Sequence, residues 1–158
     1  MSENEILIEE KDGVFFLSGV IGENADFTEL MSADTPLRLN LKGIEGVNSV
    51  GIRNLLKFLN YWGERPLIYQ ECPSDFIDQI NMIPAILGAE TQAEVESFVI
   101  PYACDECGHE AESPGTTEEV KNEMESSGSE PTQTCPECNS EMYVIFDSFF
   151  HFITSRDG

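Results

Sequence analysis

Residues 36–63, PLRLNLKGIEGVNSVGIRNLLKFLNYWG, read as a strand, a tight turn and a helix in immediate succession. Leu37, Leu39 and Leu41 alternate with Arg38, Asn40 and Lys42, the period of two that gives a strand one buried face. Gly43 is expected to end that strand. After the connection Ile44 to Val47, Asn48 and Ser49 offer capping oxygens, and Ile52, Leu55, Leu56 and Leu59 recur at helical spacing. Gly63 closes the helix and Pro66 prevents its continuation. Any functional group carried by such a unit belongs at its turn.

Working outward, the apolar runs 5–10 and 14–21 flank Lys11, Asp12 and Gly13, and Asp-Gly between such runs predicts a hairpin. Phe27, Leu30 and Met31 predict a short helix, with Asn24 or Asp26 as its cap. On the other side, residues 66–72 predict a strand. Pro73 and Ser74 then open a helix that buries Phe76, Ile77, Ile80 and Ile83 and is limited by Pro84. Residues 94–103 predict one further strand, running without a linker into the first cysteine pair. This order calls for an α/β fold, a small mixed sheet with parallel neighbours and packed helices.

The segment LNLKGIEGVNSVGIRNLL resembles the core of a STAS domain, the module of bacterial anti-sigma factor antagonists and of sulfate transporter tails. In that family a strand leads to an Asp-Ser-Ser/Thr-Gly turn that opens a helix, and the first serine is phosphorylated by a partner kinase. Asn48 stands at the aspartate position, Ser49 at the phosphorylated serine, Val50 at the second hydroxyl position and Gly51 at the glycine. FFLSGVIGENADFTEL is similar in pattern to the preceding strand and helix of the family. The resemblance implies a STAS-like domain over residues 1–93, Ser49 as a phosphorylation site, and Asn48 beside it as part of a partner-binding surface.

Residues 94–158 are expected to form a zinc-ribbon-like extension. Cys104 and Cys107 in ACDECGHE, with Cys135 and Cys138 in TCPECNSE, give C-x2-C-x27-C-x2-C. Two residues between cysteines let one knuckle turn aim both thiolates at a single ion, and two knuckles complete a tetrahedron. Gly108 and Asn139 follow the pairs and tolerate the left-handed backbone such a turn needs. Four thiolates leave no open coordination position, so the predicted cofactor is one structural Zn2+ per chain. His109 and His151 are read as surface or packing residues, and Cys72 as a small buried apolar residue. The acidic stretch 110–134 is expected to be a mobile loop with a marginal helix over Thr117–Glu125. The aromatic run Met142–Ile153 is expected to form a strand through Phe146 and then pack back on the α/β domain, with homo-oligomerisation through this run as the alternative.

Composition narrows the function. Eight basic against thirty acidic residues give a formal charge of −22, which repels phosphate backbones and anionic lipid and argues against direct nucleic-acid binding. Arg38, Lys42, Arg53, Lys57 and Arg65 against Glu45 and Glu64 give residues 36–66 a charge of +3, so the remainder carries −25. Arg53 and Lys57, four apart, share a helix face that an acidic partner or an added phosphate could meet. No apolar run is long enough to span a bilayer, and MSENEILIEE has no signal-peptide pattern, which predicts the cytoplasm. Five cysteines in two close pairs plus one suit metal binding in a reducing compartment. The expected function is a non-enzymatic protein interaction or signalling module with a kinase-like, anti-sigma or other signalling protein as partner. The alternatives are a thiol redox protein using a C-x2-C pair and a ribbon adaptor of a nucleic-acid-associated assembly.

Overall fold

Asp12 and Gly13 both take positive φ, 54° and 84°, the backbone of a two-residue turn whose twist matches the strands it joins. They connect β1 (Ile6–Lys11) to β2 (Val14–Ile21), which pair antiparallel from Ile6↔Gly19 to Lys11↔Val14. The computed structural model describes residues 6–87, 93–145 and 149–154; Glu5, expected to start the first strand, lies outside them. The helix expected around Phe27 is a single 3-10 turn, Thr28–Leu30. Asp26 holds it by accepting from the N–H of Thr28 at 3.0 Å and from the Thr28 hydroxyl. Leu30 anchors it in the core.

β3 (Leu37–Val47) runs past its expected end at Gly43. Against β2, which it pairs in parallel, the register slips twice: Phe16↔Asn40 gives way to Ser18↔Gly43, and Gly19↔Ile44 to Val20↔Gly46. Each slip places one extra residue in β3, a β-bulge. A Cβ on Gly43 would lie 2.8 Å from Cβ of Ser18. The glycine that reads as a strand end is therefore the residue that lets two strands close up at a bulge.

The helix that follows, α1 (Ser49–Trp62), buries Ile52, Leu55, Phe58, Leu59 and Trp62 and ends at Gly63. β4 (Leu67–Gln70) and α2 (Ser74–Met82) come next as expected, and Pro84 starts a 3-10 turn, Pro84–Leu87. With β5 (Ala93–Val95) they complete a sheet of order β1-β2-β3-β4-β5, parallel except for its first pair. Leu37, Leu39, Leu67 and Tyr69 are buried while Arg38, Ile68 and Gln70 between them are not. The helices thus cover one face.

Residues 94–103, read as a single strand, belong to two sheets. At Glu96 the chain changes partners: its N–H donates to Tyr69 O at 2.8 Å, the N–H of Cys72 donates to Ser97 O at 3.0 Å, and that of Val99 donates to Cys72 O at 2.9 Å. β6 (Ser97–Cys104) then enters a second, antiparallel sheet.

The stretch 110–134, expected to be a mobile loop with a marginal helix over Thr117–Glu125, is largely built, and its helix falls where expected. β7 (Glu110–Thr116) pairs with β6 from Ser97↔Thr116 to Ala103↔Glu110. α3 (Thr117–Ser127) starts at a reciprocal capping box between Thr116 and Glu119. β8 (Gln133–Thr134) and β9 (Glu141–Val144) complete the order β7-β6-β9-β8. Pro114, which has no N–H to give, is accommodated because β7 is the edge strand.

Phe146 lies outside the described residues, but the aromatic segment beyond it packs back on the first unit. Ahead of and within α4 (His151–Thr154), Phe149, Phe150 and Phe152 surround Phe98 at ring centroid distances of 6.3, 6.1 and 5.3 Å. Asn81 on α2 holds the segment twice, donating to Phe149 O and accepting from Phe152 N, both at 2.9 Å. These three rings are buried within the chain itself, while Tyr143 and Ile145 earlier in the same run are exposed. The fold is mixed α/β, with two sheets and four α-helices among the described residues. No helix among them is long and apolar enough to cross a membrane.

The start of α1 abuts the end of β2. A Cβ on Gly51 would lie 1.9 Å from Ile21 O, whereas one on Gly46 would meet nothing closer than Val20 Cγ1 at 4.0 Å. Gly51→Ala is expected to lower stability by about 3 kcal/mol and Gly46→Ala by less than about 0.5 kcal/mol. Urea unfolding of the two variants checks this; equal losses would mean the close approach at Gly51 does not exist.

Candidate metal centre

The two cysteine pairs lie in an internal repeat, CDECGHE at 104–110 and CPECNSE at 135–141, and the repeat folds the same way twice. In the first copy Gly108 N donates to Cys104 O at 2.9 Å and Cys104 N to His109 O at 2.8 Å. In the second, Asn139 N donates to Cys135 O at 2.9 Å and Cys135 N to Ser140 O at 2.7 Å. Gly108 and Asn139 take φ of 79° and 63°, the left-handed turn expected from their positions. The first knuckle sits at the turn between β6 and β7, the second between β8 and β9. Pairing of β6 with β9, through Cys104↔Met142, brings the two together.

The four sulfur atoms converge. Sγ of Cys104 lies 3.5 Å from Sγ of Cys138, and Sγ of Cys107 lies 3.6 Å from Sγ of Cys135. All four are within 4.8 Å of one another. Sulfurs bound at about 2.3 Å around one tetrahedral ion stand about 3.8 Å apart, so the set fits a single four-coordinate metal ion. Cys104 and Cys135 are 3% and 0% exposed, while Cys107 and Cys138 face solvent. His109 and His151 are outside the set, as is Cys72.

Thiols this close cannot all ionise without a cation between them. The hydroxyl and the N–H of Ser140 donate to Cys138 and hold its thiol down at about 6. At Cys107 the His109 N–H acts in the same lowering sense, but desolvation and the hydrogen bonds with Cys135, Cys138 and Cys104 outweigh it and push the thiol up to about 12. A bound cation removes that conflict, because all four ligands shed their protons to bind it. Burial pushes the Cys72 thiol up and keeps it inert. His109 and Ser140 support the centre through main-chain groups and one hydroxyl, which no reading by ligand type finds. Their matched places in the repeat were the available signal.

The other expected site residues gather on α1. Asn48 Oδ1 accepts from Gly51 N at 2.9 Å and its own N–H donates to Ile21 O at 3.0 Å, so it caps the helix and ties it to β2. Ser49, Arg53 and Lys57 are exposed and follow one another at i, i+4 and i+8, along one face. α1 contains no acidic residue. No ion pair involves Arg53 or Lys57 among the described residues.

No family model, no curated protein and no solved structure matches the chain.

The expected consequence of the sulfur geometry is one metal ion per chain. Replacing the native ion with Co2+ gives visible bands of a tetrahedral thiolate site. Cys135→Ser lowers affinity by at least about 100-fold, while Cys72→Ser leaves it unchanged. Acidification returns protons to the ligands, so the ion is lost as pH falls and regained as it rises. Spectrophotometric titration reads all three; a Cys135→Ser protein that still binds with wild-type affinity would overturn the assignment.

Proposed function

We propose that the chain is a non-enzymatic protein interaction module of the anti-sigma factor antagonist (STAS) type, acting in the cytoplasm and braced by one structural zinc ion. Zn2+ suits an all-thiolate tetrahedron, having no redox chemistry and no geometric preference of its own. Cys104, Cys107, Cys135 and Cys138 would hold it, and four protein ligands leave no position for a substrate or a water nucleophile. Binding on the order of 10 kcal/mol adds directly to the folding free energy of the second sheet. The elements with the least burial of their own gain most from it: α3 buries only Val120 and β8 nothing.

The recognition surface is the exposed face of α1. The observation that carries this reading is that Arg53 and Lys57 stand unpaired among the described residues on a helix without acid, in a chain of net charge −22. A partner presenting acidic side chains, of the kinase-like or anti-sigma kind, finds local attraction there, while nucleic acid meets the repulsion of the whole molecule. Ser49 opens the helix. A phosphate on it would sit at the positive end of the helix dipole, one turn from Arg53.

Charge reversal tests the surface. Arg53→Glu/Lys57→Glu is expected to weaken partner capture from native cytoplasm by at least about tenfold, with thermal unfolding unchanged. Mass spectrometry of Ser49 in the protein recovered from cells reads the modification. Undiminished capture by the double variant would remove α1 as the contact surface.

A further inference from the structure

We infer that the four-cysteine centre is also a site of oxidative modification, where a hydroperoxide converts the bound thiolates into two disulfides that cross between the knuckles, Cys104–Cys138 and Cys107–Cys135, and expels the ion. This rests on the metal reading above and adds to it a definite connectivity.

Each knuckle contributes one buried and one exposed sulfur, Cys104 with Cys107 and Cys135 with Cys138. Cys107 also interacts with Cys104 and Cys138, but the two direct contacts, at 3.5 and 3.6 Å, cross between the knuckles. They join the buried sulfur of one to the exposed sulfur of the other. Each contact thus couples a thiolate that solvent-borne peroxide can reach with a resolving thiolate already touching it. That arrangement favours disulfide formation over further oxidation of the exposed sulfur. The closed, all-thiolate shell gives an incoming oxidant no metal position, so attack falls on sulfur.

The chemistry balances with hydrogen peroxide as the named oxidant. Sγ of Cys138 attacks one peroxide oxygen, the O–O bond breaks, hydroxide leaves and a sulfenic acid forms. Sγ of Cys104 then attacks the Cys138 sulfur, the S–O bond breaks with loss of a second hydroxide, and the S–S bond forms. The sulfur pair gives up two electrons, and both peroxide oxygens leave as hydroxide and are protonated to water. An ion held by the four thiolates would be left with two ligands and would dissociate. Cys107 and Cys135 repeat the sequence with a second peroxide.

The connectivity has a structural consequence. Crossed disulfides keep the turn after β6 fastened to the turn before β9, as the ion does, whereas disulfides within each C-x2-C pair would leave the knuckles unjoined. Oxidised, metal-free protein therefore keeps its second sheet, and reduced, metal-free protein loses it.

The test treats the purified full chain, its zinc content first measured, with increasing hydrogen peroxide. A chromogenic chelator follows released zinc, and peptide mass spectrometry maps the disulfides after alkylation. Expected are loss of one zinc per chain for two peroxides consumed, the pairs Cys104–Cys138 and Cys107–Cys135, Cys72 alkylated only after denaturation, and a higher melting temperature for the oxidised than for the reduced metal-free protein. Pairs Cys104–Cys107 and Cys135–Cys138, sulfinic acids at Cys107 and Cys138, or zinc retained under excess peroxide would each overturn the inference. Reduced protein that contains no metal at the outset would instead overturn the metal reading, and the map obtained from it still decides the pairing. Cys72→Ser, outside the centre, should give the same map as the native chain.

Discussion

Two hydrogen bonds at Cys72 decide where half of this molecule sits. Cys72 N donates to Ser97 O and Cys72 O accepts from Val99 N, so the end of the first sheet grips the start of β6 in a short parallel bridge, Cys72↔Phe98. Everything beyond depends on that grip. β6 is the strand on which β7 and β9 both pair, and its last residue is the first sulfur of the centre. The side chain of Cys72 is wholly buried beside this bridge. Phe98, one residue past the first of these bonds, is the ring around which Phe149, Phe150 and Phe152 collect, and aromatic pairs of this kind add about 0.5–1.5 kcal/mol each beyond their burial. A backbone bridge and an aromatic cluster therefore make one continuous core from two sheets that share no strand.

The second sheet is held differently from the first. The parallel sheet rests on a wide apolar face, with Leu17, Leu37, Leu39, Leu67 and Tyr69 beneath α1 and α2. The antiparallel sheet buries Phe98, Ile100, Tyr102 and Met142, and α3 adds buried Val120 and half-buried Met124 while the rest of that helix is mostly acidic and exposed. The four-cysteine cluster lies at the far end from the Cys72 bridge, at the turns that β6, β7, β8 and β9 share, where a bound metal ion would restrain all four. The repeat of one knuckle sequence in two places makes the restraint symmetrical, each copy supplying the same main-chain hydrogen bonds.

Charge is distributed to match. The acids crowd the second unit and the loops, and α1 is left with Arg53 and Lys57 and no carboxylate. With a Debye length of about 8 Å at physiological salt, a charge brought beside α1 senses that local positive face more strongly than the distant excess of acid. Arg65 is not part of the face. Its guanidinium stacks on Trp62 at 4.0 Å and its N–H groups donate to Trp62 O and Tyr61 O, which fastens the end of the helix.

What could be read from the chain alone was whatever a few neighbouring residues settle among themselves. The Asp12–Gly13 turn, the alternation in Leu37–Leu41, the Asn48 cap, the stripe on α1 and the two C-x2-C knuckles all belong to this class, because periodicity, capping and turn chemistry act within one or two turns of backbone. The tertiary structure decided what depends on a distant partner. β3 passes through Gly43 because β2 approaches it there. Residues 94–103 divide at Glu96 because Tyr69 and Cys72 supply bonds that no local pattern announces. Glu110–Thr116, with a proline, a glycine and hardly an apolar side chain, becomes a strand because β6 offers it an open edge. Pairing energy lies in the backbone, which every sequence carries, and only the fold determines which edge stands free.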